Sequence, residues 1–171
     1  MRLTLMTDYA LRVLMYAAQQ PERLCTIAEV AEAHGISEAH LTKVTHRLAL
    51  GGWLETVRGK GGGLRLARPP AAIVLGAVVR ACEPDFALVE CFAADSRCVL
   101  TGRCGLAGVL DEALSAFLRS LDGRTLAEVL PRQASIRLPL GRRRPPATER
   151  TGARRAASFG ATTAGSAVAT R

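Results

Sequence analysis

The sequence has no long hydrophobic run. Its longest apolar stretches, such as AAIVLGAVV at residues 71–79, fall far short of the roughly 20 apolar residues that a helix needs to cross a bilayer, which excludes a membrane-spanning protein. The start, MRLTLMTDYALR, carries charge where a secretory signal would have its apolar core, so a cytoplasmic location is expected. A Cys-x-x-Cys motif is also missing. Cys91, Cys98 and Cys104 are separated by gaps of six and five residues, a spacing that matches neither a zinc knuckle nor a thioredoxin-like redox site. The glycine-rich GKGGG around Lys60 lacks the Walker spacing, because Lys60 is followed by Gly61 and no parallel strand feeds it. Histidine is scarce: His34, His40 and His46 all lie in one segment away from the clustered cysteines. A thiol enzyme would need a base beside its cysteine, so the chain is not expected to be an enzyme.

What is present fits one folded domain with an appendage. The chain has 171 residues and is 49% hydrophobic, enough for a real core. The net charge of +8 is unevenly placed. Residues 132–171 contain nine Arg and one Glu, whereas residues 1–131 contain fourteen Lys plus Arg against fourteen Asp plus Glu. All of the excess therefore sits in a tail whose Arg clusters, Ala, Gly, Ser and Thr lack apolar periodicity, and that tail is expected to be disordered. It reads either as a solubilising terminus or as a source of weak attraction to phosphates. The five cysteines are an odd set. In a reducing compartment they argue against a disulfide framework and for a metal or redox role.

The folded part opens with an expected helix over residues 3–20, with Leu3, Met6, Ala10, Leu14 and Ala17 recurring at helical spacing beside Tyr9, Val13 and Tyr16, and with Pro21 as its stop. Asp8 and Arg12 are four apart on it, the spacing of a surface ion pair. Next, Thr26 is placed to cap a helix ending at Gly35, and Ser37 to cap a second; the intervening HGIS is a turn of helix-turn-helix length. Ile27, Val30, Ala31, Ile36, Leu41 and Val44 join the two helices. The second helix carries His40, Thr42, Lys43, Thr45, His46 and Arg47, groups suited to phosphates and base edges. A two-stranded hairpin follows around the basic turn RGKGGG. Helix, turn, helix and basic hairpin make a winged helix. Residues 37–68 hold Lys43, Arg47, Arg58, Lys60, Arg65 and Arg68 against Glu38 and Glu55, a local excess typical of duplex binding. The expected DNA-facing residues are Ser37, His40, Thr42, Lys43, His46 and Arg47 on the recognition helix, and Arg58, Lys60, Gly62 and Arg65 on the wing.

The start MRLTLMTDYALRVLMYAA, the wing VRGKGGGLRLARP and the segment LVECFAADSRCVLTGRCGLAGVLDEALSAFLRSLDGRTLAEVL together resemble the NsrR-type nitric-oxide-sensing iron-sulfur repressors, relatives of the cluster regulator IscR. The resemblance covers residues 1 to about 131 and leaves out the tail. It implies a mainly α fold: a winged helix-turn-helix with a long C-terminal dimerisation helix and a cysteine-bearing cluster loop. The expected divisions are a DNA-binding domain at 1–68, a cluster loop and dimerisation helix at 69–131, and the tail at 132–171.

By that resemblance Cys91, Cys98 and Cys104 hold an iron-sulfur cluster, [4Fe-4S] in preference to [2Fe-2S]. IscR-like members add a His three residues past the last cysteine, where this chain has Ala107; NsrR-like members add an Asp of the first helix from the partner subunit, a position held here by Asp8. Arg12 would orient that carboxylate from the second shell of the site. The gap from Cys91 to Cys98 is about a residue longer than the family's pattern. Arg97, Arg103 and the start of a helix near Gly105 supply positive potential that suits thiolate ligands. Cys25 and Cys82 read as buried small hydrophobes, with Cys82 the reserve ligand. From Gly105 to Leu121, Leu106, Val109, Leu110, Ala113, Leu114, Phe117, Leu118 and Leu121 form an apolar stripe richer than one small domain needs, as a homodimer would require. Two-fold symmetry predicts a palindromic operator on double-stranded DNA. Nitric oxide would be the signal that releases it. Two other readings of the same loop are an IscR-like sensor of cluster supply and a regulator with a structural zinc site.

Overall fold

The computed structural model describes residues 2–131; the arginine-rich segment 132–171, expected to be disordered, lies outside the described residues. Helix α1 spans Leu5–Ala18, two residues shorter at each end than its apolar periodicity suggests. Thr4 is the reason at the start, since it takes an extended conformation and its hydroxyl accepts the Thr7 N–H. Helix α2, Ile27–His34, begins with a reciprocal capping box between Thr26 and Glu29 and ends at Gly35, whose φ of 65° favours glycine. Ser37 then caps α3, Glu38–Leu50.

Strands β1, Leu54–Val57, and β2, Gly63–Leu66, pair antiparallel with Leu54 opposite Leu66 and Val57 opposite Gly63. Cys25 adds one more rung: its N–H donates to the Leu64 carbonyl at 2.9 Å and its carbonyl accepts the Leu64 N–H at 2.7 Å. The wing is thereby stitched to the segment between α1 and α2. A short 3-10 turn at Pro70–Ala72 leads to α4, Leu75–Cys82. An irregular loop with one 3-10 turn at Glu90–Phe92 follows, then the long α5, Gly105–Asp122, and the single-turn α6, Leu126–Val129.

One core joins these elements. Val13 and Leu14 of α1, Val30 of α2, Leu41, Val44 and Leu48 of α3, Leu64 of β2, Ile73, Val78 of α4 and Leu126 of α6 are all buried in it. The chain returns after α5 because Leu126 N–H bonds the Ile73 carbonyl at 2.8 Å and Leu75 N–H bonds the Arg124 carbonyl at 2.9 Å. Helix α5 behaves differently. None of its residues is buried, and its main packing within the described chain is on α4. Leu106 and Val109 are 61% and 62% exposed, and Val99, just before the helix, is 95% exposed. Among the described residues, no helix is long and apolar enough to cross a membrane.

Candidate cysteine site and nucleic-acid interface

Helix α3 turns Leu41, Val44 and Leu48 inward, and the 3.6-residue period puts Glu38, Ala39, His40, Thr42, Lys43, His46 and Arg47 on the exposed side. Ser37 Oγ sits 3.1 Å from His40 Nδ1, so the cap also orients the first histidine. Thr42 donates its hydroxyl to the Glu38 carbonyl at 2.8 Å. Thr45 is buried and bonds the Thr42 carbonyl, so it faces the core and not a ligand. Arg47 is exposed, but its Nε donates to the Ala81 carbonyl of α4 at 2.8 Å.

On the wing, Arg58 and Lys60 are exposed at the hairpin tip. Arg65 is exposed too, yet it is engaged across the sheet by Glu55 at 2.7 Å, its direct cross-strand partner. Gly62 donates to the Gly59 carbonyl at 2.9 Å, and a Cβ there would strike the Val57 carbonyl oxygen. Glycine at this position is thus demanded by the tightness of the turn itself. The outer face of α3 and the wing tip are both exposed and carry polar and basic groups, the chemistry that suits base edges and phosphates.

The five thiols sort into two environments. Cys25 and Cys82 are buried, and desolvation pushes both thiols up, only partly offset by Arg23 and Arg47 respectively. Cys91, Cys98 and Cys104 are partly exposed on the one loop between α4 and α5. That loop has its own order. Arg97 N–H bonds Glu90 Oε1 at 3.1 Å, and the Thr101 hydroxyl bonds the Cys98 carbonyl at 2.8 Å. Cys104 is the N-cap residue of α5, a site where backbone N–H groups lack intrahelical partners. Among the described residues no three His, Cys, Asp or Glu side chains converge closely enough to hold a metal ion. The loop presents accessible sulfur donors, and donor type is what fits an iron-sulfur cluster.

Asp8 and Arg12 meet as their spacing predicts. Arg12 Nε lies 3.0 Å from Asp8 Oδ1 and Nη2 lies 2.9 Å from Oδ2, a two-point clamp on an exposed face of α1. His34, at the end of α2, is close enough to feel both charges. Burial first and Arg12 second hold its pKa below the ordinary histidine value, against the pull of Asp8. Its ring stands edge-on to Tyr16 with centroids 6.0 Å apart, and its Nε2 is buried without a hydrogen-bond partner.

Residues 3–132 match the profile of the Rrf2 family, described as "Iron-dependent Transcriptional regulator". The chain belongs to the Rrf2 family. This Rrf2 protein is 51% identical over 146 residues to the HTH-type transcriptional regulator NsrR of Geobacillus kaustophilus, covering 84% of the chain and 99% of the relative. It is 48% identical over 138 residues to the protein of the same name from Bacillus subtilis, covering 80% and 94%. Among solved structures, T. potens IscR superposes with a TM-score of 0.58 at 25% identity, covering 75% of this chain and 85% of that one. The expectation of a mainly α winged-helix regulator is met. Its relatives are named as transcriptional regulators, so the Rrf2 chain is a DNA-binding regulator and not an enzyme.

Three features of this Rrf2 chain were missed by reading the sequence. Arg47 holds α4, Arg65 is paired with Glu55, and Glu83 caps α1 by accepting the Thr4 N–H at 2.9 Å. Only the second had a local signal, because hairpin register sets Glu55 opposite Arg65.

Proposed function

We propose that the chain is a homodimeric cytoplasmic repressor that binds a palindromic operator and releases it in response to nitric oxide. The sensor is an iron-sulfur cluster, [4Fe-4S] in preference to [2Fe-2S], held by Cys91, Cys98, Cys104 and the partner subunit's Asp8. The observation that carries this reading is the sorting of the thiols: the three cysteines of one loop are accessible while the other two are buried. The extensive identity with regulators named NsrR supports it.

When bound, such a cluster supplies iron that nitric oxide can attack, most readily where an oxygen donor replaces a thiolate. The protein's part is to place its donors. Arg12 clamps the Asp8 carboxylate at two points and so fixes its orientation on the exposed side of α1. By ligating a cluster held on the partner's cysteine loop, Asp8 would join α1 of one protomer to the other. The apolar side of α5, with no buried residue of its own, supplies the surface for pairing. Pairing sets the distance between two α3 helices, and operator affinity follows that distance. A few kcal/mol of difference between tied and untied dimers is enough for a large change in DNA affinity.

In this reading residues 1–68 are the DNA-binding unit and 69–131 the sensing and pairing unit. Ser37, His40, Thr42, Lys43 and His46 face the major groove, and Arg58 and Lys60 the adjoining backbone. Anaerobic purification tests it. The expected product is brown, bleaches on addition of nitric oxide, and then loses retention of a duplex recovered by the protein from a random-sequence pool. A colourless, zinc-loaded protein overturns the cluster, and a coloured protein indifferent to nitric oxide overturns the signal in favour of cluster supply.

A further inference from the structure

The recognition helix, the helix bearing Asp8 and the cysteine loop meet at three consecutive residues, Ala81, Cys82 and Glu83. The last carbonyls of a helix have no partner within it, and at the end of α4 the Ala81 carbonyl is taken by Arg47 Nε at 2.8 Å. A guanidinium there also faces the negative end of the α4 dipole. Cys82 is buried. Glu83 turns the other way: its Oε1 accepts both the N–H and the hydroxyl of Thr4, at 2.9 and 3.1 Å. Thr4 is the N-cap of α1, one turn before Asp8. Beyond Glu83 the chain runs directly into the loop that carries Cys91. At the opposite end of α4, Leu75 N–H donates to the Arg124 carbonyl at 2.9 Å, while Arg80, next to Ala81, binds Asp122 of α5 at 2.8 Å. Helix α4 thus packs on both α1 and α5 and is bonded to α3 through the Ala81 carbonyl at its end.

We propose that Arg47 is a positioning residue for operator recognition: its bond to Ala81 fixes α3 against the α4–Glu83 junction, through which the cysteine loop and α1 are felt by the recognition helix. This rests on the reading that α3 enters the DNA groove. It assigns Arg47 a role different from that of its exposed neighbours Lys43 and His46. A side chain on phosphate strengthens binding to any duplex, whereas one that sets the helix angle matters only where base edges must be met.

The two roles separate by experiment. Full-length protein is titrated with a duplex recovered from a random-sequence pool and with a shuffled duplex of equal composition, across a range of salt. Arg47→Lys keeps the charge but loses the planar Nε donor. The expected result is binding about tenfold weaker to the recovered duplex, the scale of one lost charge-assisted hydrogen bond, with the shuffled duplex and the salt dependence unchanged. Glu83→Ala removes the other arm of the junction without touching α3, and the same signature is expected. It decides the matter should Arg47→Lys fail to fold, as judged by circular dichroism. Equal weakening on both duplexes with a shallower salt dependence would make Arg47 a phosphate contact and overturn the proposal; wild-type binding by Arg47→Lys also overturns it. Lys43→Ala is the control for the underlying reading. It should weaken both duplexes and lower the salt slope by about 1 per contact. No response at Lys43 removes α3 from the groove, and the proposal falls with it.

Discussion

At the scale of single residues, burial decides which cysteines can take part in chemistry. Alkylation of the metal-free, reduced protein at neutral pH should label Cys91, Cys98 and Cys104 and spare Cys25 and Cys82, as read by peptide mass spectrometry; labelling of Cys25 in the native state contradicts this. Burial pushes the Cys25 and Cys82 thiols up from their ordinary value of 9.0. A thiol whose pKa is raised by folding keeps its proton longer in the native state. The stability it contributes is complete below the unfolded value and is lost as pH rises through the higher folded one. Urea denaturation midpoints should accordingly fall as pH rises through and above 9, and fall less in a Cys25→Ala, Cys82→Ala variant. The Asp8–Arg12 pair is different, with side chains 42% and 45% exposed. Exposed pairs of this kind are worth less than about 1 kcal/mol, so Asp8→Ala should leave thermal stability nearly unchanged. Its expected effect is on the visible spectrum of the anaerobically purified protein, and an unchanged spectrum and nitric oxide response remove Asp8 from the ligand set.

Elements show why the helix-turn-helix is readable from the chain. Its signals are local: Thr26 with Glu29, Gly35 at positive φ, and Ser37 each act within three residues of themselves. Glu29 is held below its ordinary carboxylate value: desolvation opposes this, but hydrogen bonds from Thr26 and the charge of Arg23 prevail. Thr26→Ala opens the capping box and should cost about 1 kcal/mol in urea unfolding; no loss would mean that packing alone holds α2. The side of α3 that a residue faces is equally local, set by period. Residue type suggests the polar side for Thr45, but its position beside Val44 turns it to the core, where the Thr42 carbonyl satisfies its hydroxyl.

For the whole molecule, the telling element is α5. Its apolar residues exceed what the chain can cover, and the structure leaves every one at least partly exposed. Because α5 adds no fully buried side chain to the monomer core, Leu106→Glu with Val109→Glu should leave helicity intact while converting a dimer to a monomer in sedimentation velocity. A dimer that persists would move the interface elsewhere. Both positions are more than half exposed in the single chain, so the change should report on pairing and not on folding.

The sequence by itself determined α1, the helix-turn-helix, the wing, the apolar inward-facing residues of α1 to α3 and the Asp8–Arg12 clamp, because each depends on neighbours within about four positions and on periods of 3.6 or 2. The same local record showed three cysteines near one another and an apolar helix with too little to cover it. Cys25 and Cys82 are buried as the sequence led one to expect, but only the tertiary structure revealed Arg47 reaching Ala81 and Glu83 reaching Thr4. Those bonds span 34 and 79 residues. No period or capping motif encodes them. They exist because the open carbonyls of α4 and the open N–H groups of α1 must find partners, and folding brings Arg47 and Glu83 to them.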